Sequence, residues 1–321
     1  MAANFRLGLL LAVGSAFSFG SSGPFAKALM EAGWTPTAAV VARLAGGALV
    51  MAVFATIVRP GWIREALRHG RTVALYGVIP IAGAQLFYYC AVSHLSVGVA
   101  LLLEYTAPIL VVAYVWATTR RRPTNLTLAG VALALIGIML VLNVFSDAHI
   151  NLIGVAWALG AAVCAACYFV MSANVSSADS DGVNPVTLAA AGLVVGAAAV
   201  TLLGVVGVMP LTFTTNDTVI AGLTTSWAVP VIALGVVATA IAYTLGIMGI
   251  SRLRPRFASL VGLSEVMFAV LAAWVLLGEA MTSIQAIGGV IVLAGLALAR
   301  QGDRSEVSVE VTLPEGVPAA R

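Results

Sequence analysis

The chain has 321 residues, 61% of them hydrophobic and 9% charged, with a net charge of +3. Soluble domains carry about 25% charged residues, so this composition excludes a water-soluble globular protein, and so small a net charge gives no reason to expect nucleic-acid binding. Cys90, Cys164 and Cys167 all fall in apolar segments, where they read as small packing residues and not as a disulfide framework.

A membrane-crossing helix needs about 20 apolar residues, because the hydrocarbon core is roughly 30 Å thick and backbone groups inside it must bond to one another. In chain order, apolar runs predict spans over residues 7–30, 35–58, 73–94, 97–118 and 126–144, then 153–175, 185–208, 227–250, 257–277 and 281–299. The first run follows a short region carrying Arg6, so a cleaved signal peptide is its alternative reading. Residues 300–321 are polar, with charges of both signs and two prolines, and are expected to be a disordered cytoplasmic tail.

Orientation follows the Lys/Arg bias of short loops. A cytoplasmic amino terminus puts Arg59, Arg64, Arg68, Arg71, Arg120, Arg121, Arg122, Arg252, Arg254 and Arg256 inside, with Arg6, Arg300, Arg304 and Arg321. That is fourteen of the sixteen Lys and Arg residues, and the loops assigned outside carry only Glu31, Asp147, Asp217 and Glu279 among charges. The loop with Asp179 and Asp181 is placed inside by helix parity alone. The expectation is a multi-pass protein of the bacterial cytoplasmic (inner) membrane with both termini in the cytoplasm.

Shifted by 158 positions, the third to fifth spans align with the eighth to tenth without a gap, pairing Gly77 with Gly235, Trp116 with Trp274, Thr124 with Thr282, Gly130 with Gly288 and Gly137 with Gly295. An offset of 146 pairs Gly8 with Gly154, Ala12 with Ala158 and Gly14 with Gly160, which makes the first span a repeat member and not a leader. Five spans per half is an odd number, so the second half enters from the opposite side. The predicted fold is therefore an all-α integral membrane protein of ten transmembrane helices, two inverted five-helix repeats over 7–144 and 153–299, and such pairs commonly enclose a midplane substrate site.

GVALLLEYTAP at Gly98 to Pro108, and the run from Arg252 to Leu296, resemble the EamA branch of the drug/metabolite transporter superfamily, the first segment looking like its threonine/homoserine exporters. Val266 departs from the pattern, since many members place a proline after the second-repeat glutamate, whereas the first repeat keeps Pro108. The resemblance implies paired five-helix repeats and transport of a small metabolite.

Four ionisable residues fall within spans: Lys27, Arg43, Glu104 and Glu265. Each costs about 3 kcal/mol at a helix centre on insertion scales, so such groups face a water-filled path or pair with one another. Glu104 and Glu265 lie at similar depth on repeat-related helices, displaced by three residues and thus on nearly one helical face. They are candidates to exchange protons or bind a substrate ammonium; the structural alternative is a buried pair with Lys27 or Arg43, each of which lies closer to the outer surface, with snorkelling to it as a further alternative. Both signs of charge together suit a zwitterion, whereas a cationic drug needs only the acids. Tyr88, Tyr89, Tyr105, Tyr168 and Tyr243 offer an amphipathic wall, with packing as the alternative for at least half of them. Ser18, Ser21 and Ser22, around Gly20 and Gly23 and ahead of Pro24, are placed to loosen the first span, or to let helices pack closely.

His69, His94 and His149 sit in loops or at a helix end, so no catalytic or metal-binding constellation is expected, and no cofactor. The expected function is export of amino acids or similar small metabolites by alternating access, with the proton as a candidate co-substrate. The alternatives are multidrug efflux of cationic or aromatic compounds and a non-transporting membrane receptor. A homodimer is one option for its assembly.

Overall fold

The computed structural model describes residues 2–120, 122–141, 151–177, 183–250 and 255–312, nearly all of them helical. Six helical runs are long and apolar enough to cross a membrane: Arg6–Glu31, Pro36–Val58, Gly70–Val92, Val97–Thr118, Pro185–Val205 and Ala228–Gly246. Four shorter apolar helical stretches, Asn125–Val141, Leu152–Tyr168, Ser264–Leu277 and Ser283–Ala299, fall where the remaining expected spans lie. Large apolar side chains point outward, Leu10, Leu49 and Ile57 being 70%, 69% and 75% exposed, while Ala, Gly and Ser pack inside. Such a surface aggregates in water and is matched by lipid.

The first run is two helices, α1 (Ala2–Gly20) and α2 (Ser22–Glu31), divided at Ser21, whose hydroxyl donates to the Ser18 carbonyl at 2.7 Å. α3 (Pro36–Val58) starts cleanly, because the Thr35 side chain accepts the Ala38 N–H and Pro36 needs no amide partner at that position. Short helices α4 (Trp62–Arg68) and α5 (Gly70–Tyr76) lead to a π-helical stretch, Gly77–Gly83, and α6 (Ala84–Val92). Pro80 lies in that stretch; it has no N–H and its ring crowds the preceding turn, which the widened ladder accommodates.

The next expected span is also divided, into α7 (Val97–Glu104) and α8 (Ala107–Thr119). Pro108 has no N–H to offer the carbonyl four residues back, that of Glu104, and the helix ends there. Then follow α9 (Asn125–Val141), α10 (Leu152–Ser177) and α11 (Pro185–Val205), the last capped by the Asn184 side chain. After α12 (Ala228–Ile232) comes a second π-helical stretch, Ala233–Ile241, and then α13 (Ala242–Ile250), α14 (Pro255–Leu277) and α15 (Ser283–Thr312).

Two expectations need correction. The fold is not wholly α: strands β1 (Thr218–Ile220) and β2 (Leu223–Thr225) pair antiparallel across Ala221 and Gly222, both at positive φ, the mirror-image turn that matches strand twist. Nor is the polar tail unstructured from residue 300, since α15 continues to Thr312. Between Ala299 and Thr312 the one helix-weakening residue is Gly302, and the first proline after it is Pro314. Residues 313–321 lie outside the described residues.

The chain forms two compact units, one from Met1–Tyr105 and Asn151–Met281, the other from Thr106–Ile150 and Thr282–Arg321. In the larger, α3 packs on α11 and on the stretch Ala233–Ile241, while α11 packs on Gly77–Gly83; α1 packs on α13 and α14, and α10 on α6 and α7. These partnerships exchange under the sequence offsets, and so do individual contacts. A Cβ on Gly235 would meet Gly46 Cα at 3.1 Å, and one on Gly77 would meet Gly192 O at 2.8 Å, where 46 + 146 = 192 and 77 + 158 = 235. Gly14 faces Leu245 as Gly160 faces Phe87. In the smaller unit α9 packs along α15, with Gly130 against Gly295 and Gly137 against Gly288. The π-helical stretches also coincide, since Gly77 and Gly83 shifted by 158 fall on Gly235 and Ile241.

Candidate functional site: buried charges in the larger unit

Arg43 is 3% exposed and is held by α6 and by the second π-helical stretch. Its Nη1 donates to Gln85 Oε1 and, at 3.2 Å, to the Tyr89 hydroxyl; its Nε donates to Thr239 Oγ1 and its Nη2 to the Ala238 carbonyl, each at 3.2 Å. Its guanidinium carbon also sits 5.7 Å from the Tyr89 ring centroid. Every acceptor is neutral, so the guanidinium is solvated by dipoles without being neutralised. The π-helical stretch shapes this cradle: Thr239 Oγ1 turns back to donate to the Leu234 carbonyl five residues earlier, at 2.8 Å, and thereby presents its oxygen to Arg43.

Glu104 ends α7 at the helix break, and the adjoining Tyr105 donates its hydroxyl to Glu265 Oε2 at 2.8 Å. One residue after the first acid thus touches the second. Among the described residues neither acid makes a direct ion pair with a basic side chain. Gly20 lets α1 lie against α14 here, since a Cβ on it would come within 2.8 Å of the Glu265 carbonyl and 2.9 Å of Ala269 N.

The remaining candidates sort themselves by contact. Tyr88 is 4% exposed and stacks at a tilt on Tyr89, with rings 5.7 Å apart; Gly23 leaves room for its hydroxyl. Tyr243 meets Phe19 edge-on at 5.0 Å. Tyr168 is 39% exposed and lies against Tyr76, 5.7 Å away. Ser18 contributes its carbonyl to the Ser21 hydroxyl at the break in the first run. Lys27 pairs with neither interior acid: it meets Glu279, whose other oxygen accepts the Val97 N–H at 3.2 Å. Sequence reasoning did not single out Gln85 and Thr239. Gln85, an amide within a long apolar run, was the signal available.

At this end of the unit, loops assigned to one side by charge come together. Trp34 Nε1 donates to the Thr214 carbonyl at 2.8 Å, Thr35 N to the Thr212 carbonyl at 3.2 Å, and Ala221 N to the Leu276 carbonyl at 2.7 Å. At the other end, Glu65 accepts Asn184 N–H, the Thr187 hydroxyl and Arg59 Nε, each at 2.8 Å, so the start of α11 joins the arginine-rich segment. Burial would raise the Glu65 pKa; the Arg59, Asn184 and Thr187 bonds outweigh it and hold the carboxyl at about 2.

A helix bundle with a lipid-matched exterior, broken helices and ionisable groups inside has the build of a multi-pass membrane transporter. The family model for EamA-like transporters matches residues 6–143 and 152–301, and the chain belongs to that family. It is 30% identical over 257 residues to the threonine/homoserine exporter RhtA of Escherichia coli (strain K12), covering 78% of this chain and 77% of that one. The exporter of the same name from Salmonella typhimurium (strain LT2) is 26% identical over 279 residues, 84% of each chain, and an uncharacterized transporter of Archaeoglobus fulgidus is 28% identical over 273 residues, 82% of this chain and 91% of that one. A solved crystal structure 19% identical in sequence superposes with a TM-score of 0.61, covering 93% of this chain and 98% of that chain, a likeness of fold.

Proposed function

We propose that the protein exports a neutral amino acid or a similar small metabolite from the cytoplasm in exchange for protons. The observation that carries this reading is the charge arrangement: two interior carboxylates, Glu104 and Glu265, the residue after the first bonded to the second, and one guanidinium, Arg43, bonded to neutral groups. With all three ionised the interior holds one negative charge in excess. A proton or a substrate ammonium supplies the balancing positive charge, and competition between them for the same acids is the simplest coupling of a proton to an amino-acid substrate. The substrate class is further supported by the similarity to threonine/homoserine exporters.

The path we infer is alternating access through ten membrane-crossing helices in two inverted five-helix repeats, over 7–144 and 153–299. The exchanged glycine contacts and matching π-helical stretches support that reading. We place both termini in the cytoplasm on the loop charge asymmetry. A single cysteine at Ala280 should then react with an impermeant thiol reagent from outside the cell; labelling from the cytoplasmic side alone would reverse the orientation.

The deciding experiment is uptake of labelled threonine and homoserine by inverted membrane vesicles, with and without an imposed pH gradient. Gradient-dependent uptake that is lost in Glu104→Gln or Glu265→Gln supports the proposal. Uptake of cationic dyes with no amino-acid uptake replaces it with multidrug efflux.

A further inference from the structure

We propose that α4, with Arg71 at the start of α5, is a binding surface for the headgroup of an anionic phospholipid. Seven residues of α4 present three different faces. Trp62 is 8% exposed, and its indole N–H donates to Thr56 Oγ1 at 3.0 Å, which seats the helix on the end of α3. Glu65 points the same way and is fixed by Arg59, Asn184 and Thr187.

One turn apart on a second stripe, Ile63 and Leu67 are 55% and 76% exposed. They continue an apolar flank already turned toward lipid, formed by Val53, Ile57 and Val58 at the end of α3. The third stripe is cationic: Arg64 and Arg68, again one turn apart, are exposed, as is Arg71. Among the described residues no ion pair or hydrogen bond holds these three guanidiniums, whereas Arg59 is taken up by Glu65.

An apolar stripe beside a basic one on a helix lying at the end of membrane spans is the pattern of an interfacial helix, its apolar side in the acyl boundary and its cations at the phosphates. Each nearby arginine adds to the attraction toward an anionic surface, and a guanidinium matches a phosphate in two parallel hydrogen bonds. What distinguishes α4 from a merely basic loop is its fixed seat: the Glu65 bonds to Asn184 and Thr187 tie it to the start of α11. The backbone that carries Arg64 and Arg68 is therefore fixed, with Arg71 following at the start of α5, and a lipid bound there braces the junction of α3, α4 and α11.

The test uses the purified full chain in a neutral detergent, with phosphatidylglycerol and phosphatidylcholine added separately. Retained lipid is counted by native mass spectrometry and the shift in Tm is recorded. The expected result is retention of phosphatidylglycerol over phosphatidylcholine with a Tm rise of several degrees for the anionic lipid alone. The triple variant R64Q/R68Q/R71Q should lose at least half of both effects, while the control R120Q/R122Q keeps them. Among the described residues these arginines have no protein partner, so folding is expected to be preserved, and the unliganded Tm of the variant verifies this. Equal retention and an equal Tm rise in the triple variant and the parent, or equal response to the two lipids, would overturn the proposal.

Discussion

The carboxylates at the two ends of the larger unit differ in kind from those inside it. Glu65 and Glu279 each accept a backbone N–H at a helix start, from Asn184 and Val97, and each also meets a basic side chain, Arg59 and Lys27. Among the described residues Glu104 and Glu265 have neither device: the first sits at the C-terminal end of α7, where a helix disfavours negative charge, and the second accepts a tyrosine hydroxyl. An end carboxylate is thus fully compensated by its own neighbours and does a structural job. An interior one has no basic partner among the described residues, and the binding or proton-exchanging role proposed above rests on that.

The sharpest test of that division is the double variant E104Q/E265Q. It should lower transport at least about a hundredfold, the equivalent of about 2.7 kcal/mol in the barrier, while leaving expression and Tm near those of the parent. Unchanged transport in inverted vesicles would place the interior acids in the same structural class as the end ones. Next in size, Arg43→Met should destabilise by about 2–3 kcal/mol, because it strips partners from half-buried Gln85 and from buried Tyr89 and Thr239. The measurement is thermal denaturation in detergent, and a variant as stable as the parent would show that the cradle contributes little.

Glu65→Gln should cost about 1–3 kcal/mol of stability at neutral pH, since it removes a charge that receives three hydrogen bonds, and transport per folded molecule should be little affected. Because the Glu65 carboxyl is held at about 2, below its ordinary value of 4.5, its contribution is fully present above pH 4.5 and is lost as pH falls from there toward 2. The Tm difference between parent and variant should therefore shrink across that window; a difference that stays constant down to pH 2 contradicts the assignment. Smallest of all is the Lys27 and Glu279 pair, whose side chains are 20% and 21% exposed. A double-mutant cycle with Lys27→Met and Glu279→Gln should return about 1 kcal/mol or less.

Hydrocarbon thickness made the spans legible: a run of apolar residues long enough to cross has few other uses, so their order could be read before any contact was known. The same physics exposed Arg43, Glu104 and Glu265, since a charge in such a run is costly. What each of them touches was not legible. These helices are apolar around their whole circumference, so periodicity does not say which face turns inward. Lys27 finds Glu279 across 252 residues of sequence, and it was read as an interior group when its partner lies in a loop. Gln85 and Thr239 escaped because neutral polar residues are cheap enough in a helix to pass as background. The hairpin escaped because its strands are three residues each and its turn is Ala221 and Gly222, without the Asn or Asp that usually marks that turn. Pro80 marks the first widened helix, but the second, Ala233–Ile241, contains no proline at all.

Those two widened stretches speak to ancestry. Under about 1% of residues in proteins adopt this conformation, and gaining it independently at one register in two helices is a rare coincidence. On the duplicated-chain reading, a single event in a half-length ancestor, copied when the gene doubled, accounts for both. That ancestor had the face now given by Gly77 and the face now given by Gly46, and each needed its counterpart on another molecule. On the inverted-repeat reading proposed above, that ancestor is an antiparallel dimer of identical five-helix chains, with a path of two equal halves. Fusion released the halves from identity, and the chain now places its acids three residues out of register, at Glu104 and Glu265, an asymmetry closed to a dimer of identical subunits.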